Sequence, residues 1–135
     1  MKRISLVCSL LVLLLSSSIV NAMPKDCPNA VEIQAIGIST NVIKINNAWF
    51  AGRRNQAYGT PDNWTFIIAN IMATDALDAY KKAAKALQSL AFLAGPAPGS
   101  SGKFVCAYNT VEGYSAFAMT PAAIDIATAA KLVIK

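Results

Sequence analysis

Apolar and polar positions along this chain repeat with different periods, and the period assigns the elements. In "WTFIIANIMA", Trp64 to Ala73, apolar residues occupy both sides of a two-residue repeat. Trp64, Phe66, Ile68 and Met72 fall on one side, and Ile67, Ala69 and Ile71 on the other. A strand apolar on both faces belongs in the middle of a sheet that is covered twice. From Thr74 the period changes. Leu77, Tyr80, Ala84, Leu87 and Ala91 recur at helical spacing beside Ala83 and Leu90, with Lys81, Lys82 and Lys85 opposite. Thr74 or Asp75 caps the start, Asp78 precedes Lys82 by one turn, and Gly95-Pro96 stops the helix. "GPAPGSSG" then reads as a flexible connector.

Hairpin patterns lie on both sides of this pair. In "NVIKINNAWFAGRR", Val42 to Ile45 form one arm and Asn46-Asn47 suits a two-residue turn with positive φ. Alternation then puts Trp49, Ala51 and Arg53 on one face, and Phe50, Gly52 and Arg54 on the other. "NQAYGTPDN" is turn chemistry. In "KFVCAYNTVEGYSAFAMTP", Phe104, Cys106 and Tyr108 alternate with Val105 and Ala107, Asn109 to Gly113 turn, and Tyr114 to Thr120 return.

The ends of the pattern are helical. "DCPNAVEIQAIG" predicts a short helix, capped by Asp26 and ended by Gly37, although Val31, Ile33 and Ala35 also alternate as in a strand. Thr120-Pro121 resembles a helix entry, and Ala123, Ile126, Ala127, Ala130 and Val133 make an apolar stripe. That tail helix would cover the free side of the sheet. The expectation is an α+β fold: a mainly antiparallel sheet of about five strands, with the long helix packed on one face.

Composition changes the picture at the N-terminus. Lys2 and Arg3, the apolar run Ile4 to Leu15, the serines Ser16 to Ser18, and Val20-Asn21-Ala22 have the three parts of a secretory signal, so residues 1–22 are expected to be removed. The apolar run is short for a retained membrane anchor. Residues 23–135 would then form one domain. Without Lys2 and Arg3, ten basic residues face seven acidic ones, a net charge of +3. That is too mild for nucleic-acid binding, which needs a dense basic stripe. No later stretch is long and apolar enough to cross a membrane. Cys8 would leave with the signal, and Cys27 and Cys106 most simply form one disulfide in an exported protein. Closing a loop of about eighty residues is worth about 4–4.5 kcal/mol in the chain-entropy picture. Two free thiols or a metal pair is the competing account, and two cysteines without histidine make a poor zinc site.

The chain has no histidine. That removes Ser-His-Asp and Cys-His catalysis and the commonest metal ligand. The carboxylates are Asp26, Glu32, Asp62, Asp75, Asp78, Glu112 and Asp125, and no phosphate-loop glycine run occurs. The expectation is a protein that is not an enzyme. Asn63-Trp64-Thr65 matches a glycosylation triplet, but its place at a strand start reads better as a turn entering the core.

The residues that stand out for binding lie between Asn46 and Phe66: Trp49, Arg53, Arg54, Tyr58 and Trp64. The plainer account makes the tryptophans core and lets the arginines face water. The functional account uses the arginines for carboxylate or phosphate and the aromatics as walls for a flat ring. Tyrosine can ligate haem iron where histidine is missing. Tyr58 is the best placed of the four tyrosines; Tyr80 and Tyr108 look core-facing, and Met72 and Met119 look like packing.

The run of "CP", "AWFAGRRNQAYGTPDNWTFIIANI", "ALQSLAF", "GP" and "VCAYNTVEGYSAFAMTP" resembles small exported bacterial proteins described as haemin-binding, over Cys27 to Pro121. The resemblance implies a periplasmic or extracellular protein of Gram-negative bacteria concerned with haemin or iron. It carries over no ligand residue, and the absence of histidine sits awkwardly with tight iron binding. Three functional readings follow: a binding protein for haemin or another planar anionic molecule, an exported protein–protein interaction module, and an enzyme without histidine.

Overall fold

The computed structural model describes residues 22–134; residues 1–21 of the predicted signal segment, which runs to residue 22, lie outside them. The class is α+β, as expected, with one antiparallel sheet of six strands rather than five. In chain order the elements are α1 (Ala30–Ile36), β1 (Ile43–Ile45), β2 (Ala48–Gln56), β3 (Trp64–Ile71), α2 (Ala76–Leu87), β4 (Ala91–Pro98), β5 (Phe104–Asn109), β6 (Ser115–Thr120) and α3 (Ile126–Val133). The sheet order is β1-β2-β3-β6-β5-β4. β3 lies inside the sheet, covered on both faces: α1 and α2 pack on one side, and α3 on the other.

Local chemistry accounts for the elements that match expectation. Asn46 and Asn47 both take positive φ, 51° and 66°, which joins β1 to β2 by a tight turn twisted like its strands. Asp75 caps α2, its carboxylate accepting from the Asp78 amide at 2.8 Å, and Asp78 pairs with Lys82 at 3.2 Å. The disulfide joins Cys27 to Cys106 across 79 positions and staples the N-terminal strap to β5. Gly95 makes room for it, since a Cβ there would lie 2.8 Å from the Val105 carbonyl oxygen and 3.3 Å from Cys27 Sγ.

Several expectations need correction. The long helix ends at Leu87, not at Gly95. Tight bonds from the Gln88, Ser89 and Leu90 amides to the carbonyls of Lys85, Ala86 and Leu87 wind it down. The first half of the expected connector, Gly95 to Pro98, belongs to the edge strand β4, where prolines are tolerated because one side needs no partner. The buried stripe of α2 is Ala79, Ala83, Ala86 and Leu87, and Leu77 is exposed. In β3 the alternation breaks at Asn70, whose φ is 58°. Trp49 faces Ile71 while Ala51 faces Ile68, so a bulge at this point moves Ile71 to the α2 side. Met72, expected inside, is exposed.

The helix starts also differ. α1 begins after Asn29 rather than Asp26. Cys27 is tied to β5, and the buried Pro28 offers its carbonyl to the Tyr108 hydroxyl, so the chain stays extended there. Thr120 remains in β6, donating its hydroxyl to the Asn63 carbonyl, and α3 starts only after Asp125, which caps the Thr128 amide at 2.7 Å.

Candidate functional site

β1 covers only the first three residues of β2, pairing Ile43, Lys44 and Ile45 with Phe50, Trp49 and Ala48. Beyond Phe50 the outer edge of β2 is met by irregular chain, with the Ser39 amide bonded to the Gly52 carbonyl at 2.8 Å. The two arginines leave this edge in opposite directions, as alternation requires. Arg53 turns to the α1 side, where Nε lies 3.3 Å from the Gly37 carbonyl and Nη2 3.5 Å from that of Ile38. Gly37 ends α1, so the cation sits on the negative end of a helix. Arg54 turns to the α3 side and donates Nη1 to the Ile124 carbonyl at 2.6 Å.

Although they diverge, both arginines line one notch of about 610 Å³, together with Ser39, Asn41, Ile43, Asp125, Ile126 and Ala127. Each guanidinium bonds to backbone carbonyls. Among the described residues the salt bridge is Asp78–Lys82, so neither arginine is in a salt bridge. Asp125 lies close enough to Arg54 to feel its charge, but its carboxylate is held by the α3 start. Bonds from Thr128 lower its pKa most, with Arg54 and Lys131 adding to the effect. The notch therefore joins two cations, the Asp125 carboxylate, short polar groups and the apolar edges of Ile43 and Ile126.

Tyr58 is not part of that notch. It follows a second irregularity, where Arg53 faces Phe66 but Gln56 faces Trp64, with Asn55 in the left-handed region. Tyr58 itself has φ 49°, and Gly59 has φ 73°. Thr60 holds the loop: its hydroxyl donates to the Ala57 carbonyl at 2.8 Å and accepts from Trp64 Nε1 at 2.8 Å. The Tyr58 ring is buried in the core on the α1 side, and among the described residues its hydroxyl has no hydrogen-bond partner. Burial pushes that hydroxyl up to about 12, with the Arg53 charge acting in the opposite direction. Tyr58 also lines a wider cleft of about 960 Å³, beside the disulfide strap, the β2–β3 loop and the β4 edge. That cleft carries Asp26, Glu32 and Asp62 against Lys25, an acidic balance.

The tryptophans occupy two further places. Trp64 is fully buried. Trp49 is half-buried, donates Nε1 to the Ala73 carbonyl at 3.2 Å, and has the Lys44 ammonium 5.8 Å above its ring. The structure thus brings Arg53 and Arg54 to one notch and sends Trp49, Tyr58 and Trp64 elsewhere. Ser39, Asn41, Ile43 and the start of α3 were missed as notch residues. They come from segments up to about seventy positions away from the arginines, and only the topology joins them.

No family model matches this chain, and no curated protein or solved structure matches it.

Proposed function

We propose that this is an exported, non-catalytic binding protein for a planar anionic small molecule of the haemin class, which it takes by its carboxylates at the Arg53–Arg54 notch. The observation that carries this reading is the pair of arginines lining one notch, neither of them in a salt bridge among the described residues, against a single carboxylate, Asp125, that caps α3. Arginine forks hold carboxylates in two parallel bonds, and Ile43 and Ile126 offer apolar edges to a flat ring. The donor set fits the porphyrin carboxylates and not its iron, because the notch lining contains no tyrosine, methionine, cysteine or histidine. Binding through the iron is not part of the reading.

A non-catalytic role is supported by the chain's lack of histidine. A strand-capturing interaction module finds less support, because the long free edge β4 is broken by Pro96, Pro98 and two register shifts.

The test is a haemin titration of the purified protein, followed at the Soret band. The expected result is saturable binding, weakened several-fold by Arg53→Ala with Arg54→Ala and by Arg54→Glu alone. An unchanged spectrum, or equal affinity in these variants, refutes the proposal.

A further inference from the structure

α3 covers only part of its face of the sheet, and most of the remainder is apolar, with Asn109 and Ser115 at its far end. Met119 is buried against α3, so its pairing partner Val105 lies on the same face, as do Ala107 and Phe117. Pairing continues this face into β4, where Ala94 and Ala97 lie opposite Ala107 and Val105 and are exposed. At the boundary between the covered and bare halves, Val105, Phe117, Met119, Leu132 and Val133 wall a cleft of about 310 Å³ with Lys103 at its rim.

Gly99 lets the chain close on the wall of the cleft, since a Cβ there would lie 2.6 Å from Val105 Cγ2. Lys103 donates its ammonium to the carbonyls of Pro121 at 2.7 Å and Ala122 at 3.3 Å, and among the described residues no carboxylate pairs with it. The lining is otherwise apolar except for Ser100. Size selects among partners. Three strands about 20 Å long span roughly 300 Å². A stable dimer needs about 800 Å² from each partner. The cleft itself holds about ten groups the size of a water molecule or a methylene.

We propose that this cleft binds a single carboxylate-headed aliphatic chain, with the tail between α3 and β5–β6 and the carboxylate at Lys103. The site is separate from the Arg53–Arg54 notch and does not depend on the reading given for it.

Decanoate is the probe, titrated calorimetrically into the purified protein below the concentration at which it forms micelles. One molecule should bind per chain. Lys103→Glu should weaken binding about tenfold, since it replaces attraction by repulsion at a charge-assisted contact. Ala97→Glu, at an exposed position paired with Val105 beside the cleft, should weaken it in the same direction, and decan-1-ol should bind less tightly than decanoate. Arg53→Ala with Arg54→Ala should leave decanoate binding unchanged, which separates this site from the notch. The proposal is overturned by absence of binding, by equal affinity in Lys103→Glu, by loss of binding in the arginine variant, or by a dimer that Ala97→Glu dissociates.

Discussion

Replacing Tyr58 by phenylalanine should make the protein more stable, although it removes a polar group from a conformationally special loop. The ring is packed in the core while its hydroxyl has no partner among the described residues. A buried, unsatisfied polar group costs about 1–3 kcal/mol, and Tyr58→Phe removes that cost while keeping the ring contacts. The space left by one oxygen offsets part of the gain, so the expected increase is about 1 kcal/mol, or about 4 °C in Tm for a domain of this size. The backbone at Tyr58 stays left-handed in either case, so strain at φ 49° cancels from the comparison.

The same substitution should alter the alkaline limb of stability. Burial raises the Tyr58 hydroxyl from its ordinary 10 to about 12. The folded state therefore holds this proton more tightly than the unfolded chain does. Its contribution is complete below pH 10 and is lost as pH rises from 10 to 12, amounting to about 3 kcal/mol over that window. Urea unfolding at pH 7 and at steps between pH 9 and 12 measures both effects. Tyr58→Phe should start higher and fall less steeply. It should not become flat, because burial also raises the Tyr108 hydroxyl. A variant less stable than the parent at pH 7, or one with the same alkaline slope, refutes the reasoning.

Three further substitutions test the frame. A Cβ at Gly52 would lie 2.0 Å from the Phe66 carbonyl oxygen, so Gly52→Ala should force β2 and β3 apart and cost about 3 kcal/mol or more in urea unfolding. Asp75→Ala removes the α2 cap and should cost about 1 kcal/mol, and Asp75→Asn should restore most of it. Opening the Cys27–Cys106 loop with paired serines should cost about 2–5 kcal/mol, read as a lower urea midpoint; an unchanged midpoint would mean the strap is held without the bridge.

What could be read in advance was local. The Asn46-Asn47 turn, the Asp75 cap and the doubly apolar β3 each declare themselves within ten residues, because turn chemistry, capping and burial act at that range. The failures are of another kind. Leu87, Leu90 and Ala91 keep helical spacing, but the chain leaves the helix after Leu87 so that Ala91 can pair with Asn109. Gly95, Pro96 and Pro98 look like linker residues, yet they lie on an edge strand beside the disulfide. The displaced starts of α1 and α3 have the same origin, since Pro28 and Thr120 are held by Tyr108 and Asn63. In the candidate site the arginines stood out as a pair, and strand alternation correctly sent them to opposite faces. That both line one notch follows from the shortness of β1 and the approach of α3, which no local pattern encodes.

Porphyrin binding with and without iron, mapped residue by residue, tests carboxylate capture at the notch most directly. Protoporphyrin IX keeps the carboxylates and lacks the iron, so it should bind about as tightly as haemin. Amide resonances of the isotope-labelled protein should move at Ser39, Asn41, Ile43, Arg53, Arg54, Ile126 and Ala127. Binding of haemin alone, or shifts confined to the Tyr58 cleft or the Lys103 rim, would contradict the account.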